Sequence, residues 1–157
     1  MFYRILVPTD GSNQSEKALL VALNLALQNK SYLEILHISQ VSTERMNETF
    51  EQEGVDPFSS SSIRYKVIND YYHYLRKQNM DMLQKQLDKA LKIAPTLEIT
   101  TNLLEGNPGE EIVKRSRDGK FDLIVMGSFG LGLRRYLLGS TSTRVVSEAK
   151  IPILIIK

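Results

Sequence analysis

The 157-residue sequence has no cysteine and only two histidines, His37 and His73. Without cysteine there can be no disulfide, no thiolate metal site and no thiol nucleophile. Two histidines alone make a dedicated transition-metal site unexpected. An excess of one charge sign is also missing: 20 Lys+Arg face 18 Asp+Glu, and no basic run is long enough to form a nucleic-acid patch. No nucleic-acid partner is therefore expected. No uninterrupted apolar stretch approaches the roughly 18 residues needed to cross a bilayer, so no membrane partner is expected either. Met1-Phe2-Tyr3-Arg4 lacks the basic and then apolar pattern of a secretory leader. The expected location is cytoplasmic.

Glycine is sparse and unevenly placed. The chain has nine, and Gly127, Gly130, Gly132 and Gly139 fall within the first thirteen positions of GSFGLGLRRYLLGSTSTRVV, residues 127–146. What surrounds them is ordinary for a globular protein, 42% apolar and 24% charged. The length suits one domain, taken here as residues 1–157.

Tyr3 to Val7 reads as a strand stopped by Pro8-Thr9-Asp10-Gly11-Ser12, where Asp10-Gly11-Ser12 offers turn and helix-cap chemistry. A helix follows from Ser15 to about Gln28, with Leu19, Ala22, Leu23 and Ala26 on one stripe. Leu33 to Ile38 is a second strand, and the three elements make a βαβ unit. From 40 to 69 the pattern breaks down into a polar segment with Asp56-Pro57 and four consecutive serines, read as a flexible excursion within the domain with a helical turn around Arg45 to Gln52. Helical spacing returns over 70–94 and stops at Pro95. Residues 97–103 alternate as a strand, Gly106 to Gly109 turn the chain, and Glu110 to Arg117 form a short helix. Phe121 to Met126 is nearly apolar throughout, as a central strand would be. A last helix over 139–149 and a last strand, Ile151 to Ile156, complete the pattern.

Five strands alternating with four helices predict a doubly wound, open parallel α/β sheet of Rossmann-like type, with helices on both faces. Such sheets bind ligands beyond the carboxyl ends of their strands, where the strand order reverses. Here those ends are Pro8-Thr9-Asp10, Ile38-Ser39 and Gly127-Ser128. The glycines after the fourth strand let backbone N–H groups approach an anion closely. Gly139-Ser140-Thr141 stands where the last helix begins, and a helix N-terminus attracts phosphate. Neither a Walker A string nor a GxGxxG fingerprint is present.

In combination, Ile5-Leu6-Val7-Pro8-Thr9-Asp10-Gly11-Ser12, Gly106-Asn107-Pro108, Asp122 to Ser128, Leu137-Leu138-Gly139-Ser140 and Ile151-Pro152 resemble the universal stress protein family, and its ATP-binding branch. The resemblance spans nearly the whole chain apart from 40–69, and implies strand order 3-2-1-4-5. It also implies ATP as the ligand. Gly127, Gly130, Gly139, Ser140 and Thr141 would hold its phosphates, Asp10 would meet the ribose or adenine, and Pro8 and Thr9 would flank the base. The Ile38 backbone would hydrogen-bond adenine, and Met126 would help line the pocket. The family motif is G-x2-G-x9-G-[S/T]; here eight residues rather than nine separate Gly130 from Gly139. Any Mg²⁺ would arrive with the nucleotide, held by phosphate oxygens. The last strand, apolar on both faces yet expected at an edge, points to a homodimer through Ile151–Ile156, as the resemblance also implies.

The blander readings run beside these. Asp10 can close an Asx turn, and Ser140 and Thr141 can simply cap the last helix. Arg134 and Arg135 are more readily solvated than ligand-bound. His37 fits a hydrogen-bonded strand-end residue, and His73 a surface or packing role. No nucleophile, base and orienting group form a set, so a catalytic site is not expected. Two alternatives to a nucleotide-responsive stress or signalling protein stay open: a dimeric interaction module without nucleotide, favoured by the shortened loop, and a slow ATPase or autokinase.

Overall fold

The computed structural model describes residues 1–40, 62–128 and 138–157. In chain order the described elements are β1 Arg4–Pro8, α1 Asn13–Asn29, β2 Tyr32–Ser39, α2 Ser62–Ile93, β3 Ile99–Glu105, α3 Pro108–Asp118, β4 Leu123–Gly127, α4 Ser140–Glu148 and β5 Ile153–Ile156. The five strands form one sheet in the order β3-β2-β1-β4-β5, and every neighbouring pair is parallel. This is the predicted doubly wound architecture.

Parallel strands must be covered on both faces, and two apolar clusters do so. Ile5, Val7, Leu33, Ile35, Leu123 and Val125 face α1 and α2, meeting Leu19, Leu23, Leu83 and Ala90. Leu6, Leu36, Ile38, Ile124 and Met126 face α3 and α4, meeting Ile112 and Val145. Alternation along each strand thus assigns each helix pair its side. On the second face a charge is buried: Glu34 is 2% exposed. Its carboxylate accepts from Arg115 Nε at 2.7 Å and Nη2 at 2.5 Å, from the Tyr32 hydroxyl at 3.2 Å and from Asn102 at 3.3 Å. That hydrogen bond to Glu34 holds the Arg115 pKa above its ordinary value. A buried carboxylate with this many donors is satisfied, and it pins α3 to the sheet.

The structure corrects several boundaries. α2 begins at Ser62, so 62–69 belong to a helix and not to the polar excursion; residues 41–61 lie outside the described residues. β3 starts at Ile99 and not at residue 97, because the Leu97 N–H is spent on the turn leaving α2, donating to the Ala94 carbonyl at 3.2 Å. β5 starts at Ile153: Pro152 has no N–H to give, although its carbonyl accepts from the Ile124 amide at 3.0 Å. Among the described residues, no helix is long and apolar enough to cross a membrane.

Candidate functional site

The topology fixes where a site can form. β1 is flanked by β2 on one side and β4 on the other, so the connections after β1 and β4 leave towards opposite faces. In sheets of this kind such a reversal is where a crevice forms between the carboxyl ends. α1 begins at one wall of this crevice and α4 at the other, so two helix N-termini converge there.

The β1 wall is held tightly. Pro8 and Thr9 are buried, and Asp10 is exposed. Thr9 N–H donates to the Leu36 carbonyl at 2.8 Å, and its own carbonyl accepts from His37 Nδ1 at 2.8 Å. A carbonyl can only accept, so Nδ1 carries the proton in this contact. Asp10 Oδ1 accepts from the Ser12 N–H at 3.0 Å, closing an Asx turn that leaves Oδ2 outside this bond. Gly11 at φ 77° makes the turn. Ser12 then caps α1, its hydroxyl accepting from the Ser15 N–H at 3.2 Å. The dipole of α1 is therefore partly answered from within.

The ladder also orients Ile38. Because the Leu36 carbonyl points toward β1, the period of two turns the Ile38 N–H and C=O to the same side, past the last β1 residue. Its side chain is in the core, as is that of Met126.

The β4 wall contrasts with the β1 wall. Gly139 is the N-cap of α4 and makes no side-chain cap hydrogen bond, so neither Ser140 nor Thr141 serves as the cap. The first helical bond runs from Thr143 N–H to the Gly139 carbonyl at 2.9 Å. Helix geometry therefore leaves the Ser140, Thr141 and Ser142 amides without intrahelical partners. α4 is stitched to β4: Gly139 N–H donates to the Ser128 carbonyl at 2.9 Å, and Ser142 Oγ to the Gly127 carbonyl at 3.0 Å. Between these stitches stands Ser128, 2% exposed, whose hydroxyl has no hydrogen-bond partner among the described residues. By strand alternation after Met126 and Gly127, its side chain lies on the α3–α4 face of the sheet. An uncapped helix start and a buried, unsatisfied hydroxyl suit an anion.

Gly127 has a packing role besides any ligand role. A Cβ there would stand 3.0 Å from Gln14 Cβ and 3.2 Å from the Gln14 carbonyl carbon, so glycine is what lets the first turn of α1 lie on β4. Gly130 and most of the 131–138 loop lie outside the described residues. The structure thus brings Pro8, Thr9, Asp10, Gly127, Gly139, Ser140 and Thr141 to one end of the sheet, along with the Ile38 backbone. Among the described residues, no group of three or more His, Asp or Glu is placed to hold a metal ion.

A family model described as the universal stress protein family matches residues 1–157. The chain belongs to the universal stress protein family. Universal stress protein YxiE of Bacillus subtilis is 30% identical over 161 residues, covering 100% of both chains. The solved structure of the hypothetical protein MJ0577 of Methanocaldococcus jannaschii matches with a TM-score of 0.71 at 24% identity, covering 100% of this chain and 96% of that one. A universal stress protein solved in complex with cAMP matches with a TM-score of 0.66 at 23% identity, covering 99% and 97%. These structures share the fold of this universal stress protein.

Sequence reasoning did not foresee two residues that shape its site. Ser142 anchors α4, and Gln86 on α2 reaches Thr9 at 2.9 Å. A signal for Gln86 existed: it interrupts the buried stripe Leu83, Ala90, Ala94 at helical spacing.

Proposed function

We propose that this universal stress protein binds an adenine nucleotide, with ATP the foremost candidate, in the crevice between the carboxyl ends of β1 and β4. The observation that carries the reading is the uncapped N-terminus of α4 beside the buried Ser128 hydroxyl, which has no partner among the described residues. Three amides without intrahelical partners and a hydroxyl together suit a phosphate. Gly127, Gly130, Gly139, Ser140 and Thr141 hold the phosphates. Asp10, exposed with Oδ2 outside the Asx turn, meets the ribose. Pro8 and Thr9 flank the base, the Ile38 backbone pairs with its edge, and Met126 backs the pocket. Mg²⁺ enters with the nucleotide, coordinated by phosphate oxygens. The cAMP complex of a protein with this fold supports an adenine ligand.

The role proposed is a conformational one. Nucleotide occupancy alters what a cytoplasmic homodimer, joined through Ile151–Ile156, presents to partners in stress or signalling. The test is to denature the purified protein, identify any released small molecule, and titrate the stripped chain with Mg·ATP, ADP, AMP and cAMP. Released nucleotide, or saturable heat with one of these, is expected. Neither one appearing would overturn the reading. That result would favour the second reading, a nucleotide-free dimeric module, which the eight-residue spacing between Gly130 and Gly139 supports.

A further inference from the structure

Gln86 is 4% exposed on a helix that otherwise buries apolar groups, and only half of its amide is satisfied. Nε2 donates to Thr9 Oγ1 at 2.9 Å, linking residues 77 positions apart. Thr9 Oγ1 also accepts the Gly11 N–H at 3.2 Å and donates to Ser15 Oγ at 3.1 Å. Ser15 Oγ in turn donates to the Ser12 carbonyl at 2.8 Å. These bonds have only one consistent direction. The Ser15 proton is committed to a carbonyl, so Ser15 Oγ receives the Thr9 proton, and Thr9 can only accept from Gln86. The amide must present its NH₂ group, which leaves Oε1 buried and without a partner among the described residues.

A buried acceptor left unsatisfied weakens a fold relative to an apolar side chain of the same shape, and methionine would fit that description here. The compensation is the donor. Thr9 is gripped at three atoms: its N–H by the Leu36 carbonyl, its carbonyl by His37, and its hydroxyl by Gln86. Two of the grips come from β2, and the third is the only one that α2 supplies. One turn before Gln86, Met82 Cγ lies 3.6 Å from where a Gly11 Cβ would stand, so α2 also backs the turn at its positive-φ residue. The Asx turn that presents Asp10 lies between Thr9 and Ser12.

We infer that Gln86 is a positioning residue for the nucleotide crevice: its amide fixes the Thr9 hydroxyl, and through it the turn carrying Asp10, coupling α2 to the site. The coupling to ligand rests on the nucleotide reading above; the effect on the turn does not. Position and occupancy are then linked in both directions, so nucleotide that fixes Asp10 also fixes α2.

The test uses the full chain with Gln86→Met, Thr9→Val and the double variant. Two readouts are taken: amide hydrogen exchange in the ligand-free protein, and calorimetric titration with Mg·ATP. Gln86→Met should keep or raise the urea midpoint while Gly11 and Ser12 amides exchange about tenfold faster and Mg·ATP binds about tenfold more weakly, the loss of roughly one hydrogen bond. In the Thr9→Val background, Gln86→Met should add nothing to either readout. Unchanged exchange at Gly11 and Ser12, or equal effects in both backgrounds, would overturn the inference. Gln86→Leu serves if Gln86→Met does not fold; failure of both would make Gln86 a structural residue and also overturn it. If the parent binds no Mg·ATP, the nucleotide reading fails while the exchange series still decides the role of Gln86.

Discussion

The Ser128 hydroxyl is shielded from water and unpartnered among the described residues, so removing it should cost the free protein nothing. Ser128→Ala is expected to leave the urea midpoint unchanged or slightly higher. Mg·ATP affinity should fall about tenfold, the worth of a hydrogen bond to a charged oxygen. Isothermal titration beside a urea series checks both halves, and a variant that binds like its parent removes Ser128 from the site. Tyr72 shows the opposite case, a hydroxyl used for the fold. It donates to Glu105, which also pairs with Arg76 at 3.0 Å. That hydrogen bond first, then burial and the Glu105 charge, raises the Tyr72 pKa. A raised acid is stabilised in its protonated form, so the contribution is complete below the unfolded tyrosine value near pH ~10 and disappears as pH rises through the higher folded value. Tyr72→Phe should therefore lose roughly 1–2 kcal/mol at pH 8 and converge with the parent in strong alkali, as urea midpoints at the two pH values would report. Neither partner could be read from the sequence. Glu34 sits in an apolar strand with no mark of Arg115, which is 81 positions away, and nothing local pairs Tyr72 with Glu105. Such contacts are created by the tertiary fold, whereas the Asx turn at Asp10 is local chemistry and was legible.

Elements were legible in proportion to how much of them the core uses. α1 lies wholly against the sheet, so its apolar stripe defined it to within two residues at either end. α2 has 32 residues, about 48 Å of helix, against strands of no more than eight residues, about 26 Å. Its first turns outrun the sheet, and Val67, Tyr71 and Tyr74 are exposed. Over 66–71 no residue is buried, so no core selects an apolar stripe there and 66–69 read as irregular. At Gly127 a close approach of backbone was legible, but not what approaches. At Gly127 the neighbour in the structure is the first turn of α1. Gly127→Ala forces that turn away by several tenths of an ångström, against backbone as well as side chain. It should destabilise the nucleotide-free protein by roughly 1–3 kcal/mol, the usual cost of overpacking. Thermal unfolding without ligand is the check. A variant as stable as its parent would assign the glycine to ligand approach instead of helix packing. The same measurement guards against counting weakened Mg·ATP binding in this variant as proof of a phosphate contact.

For the whole molecule, the order β3-β2-β1-β4-β5 reverses at β1, and that reversal puts the expected ligand position between the β1 and β4 ends. Among the described residues, the same order leaves β5 with β4 as its sole neighbour in the sheet. Two of its side chains, Ile153 and Ile155, pack on the α3–α4 core, while Leu154 is 37% exposed. No charged residue interrupts Ile151–Ile156, so apart from Pro152 and its short length the strand carries nothing that opposes pairing. A second copy of the same strand, antiparallel across a two-fold axis, would complete both edges at once, because a two-fold contact is self-complementary. Leu154→Lys brings two like charges to that axis and changes little inside the protomer. The parent should elute with light-scattering mass twice 17.9 kDa, and the variant at 17.9 kDa with unchanged helix signal. A monomeric parent would remove the dimer from the proposed function, and a variant that stays dimeric would move the interface away from β5. The proposed nucleotide site, built from residues at the β1 and β4 ends, should bind Mg·ATP in either state, so the affinity of the monomeric variant also tells whether assembly and occupancy are independent.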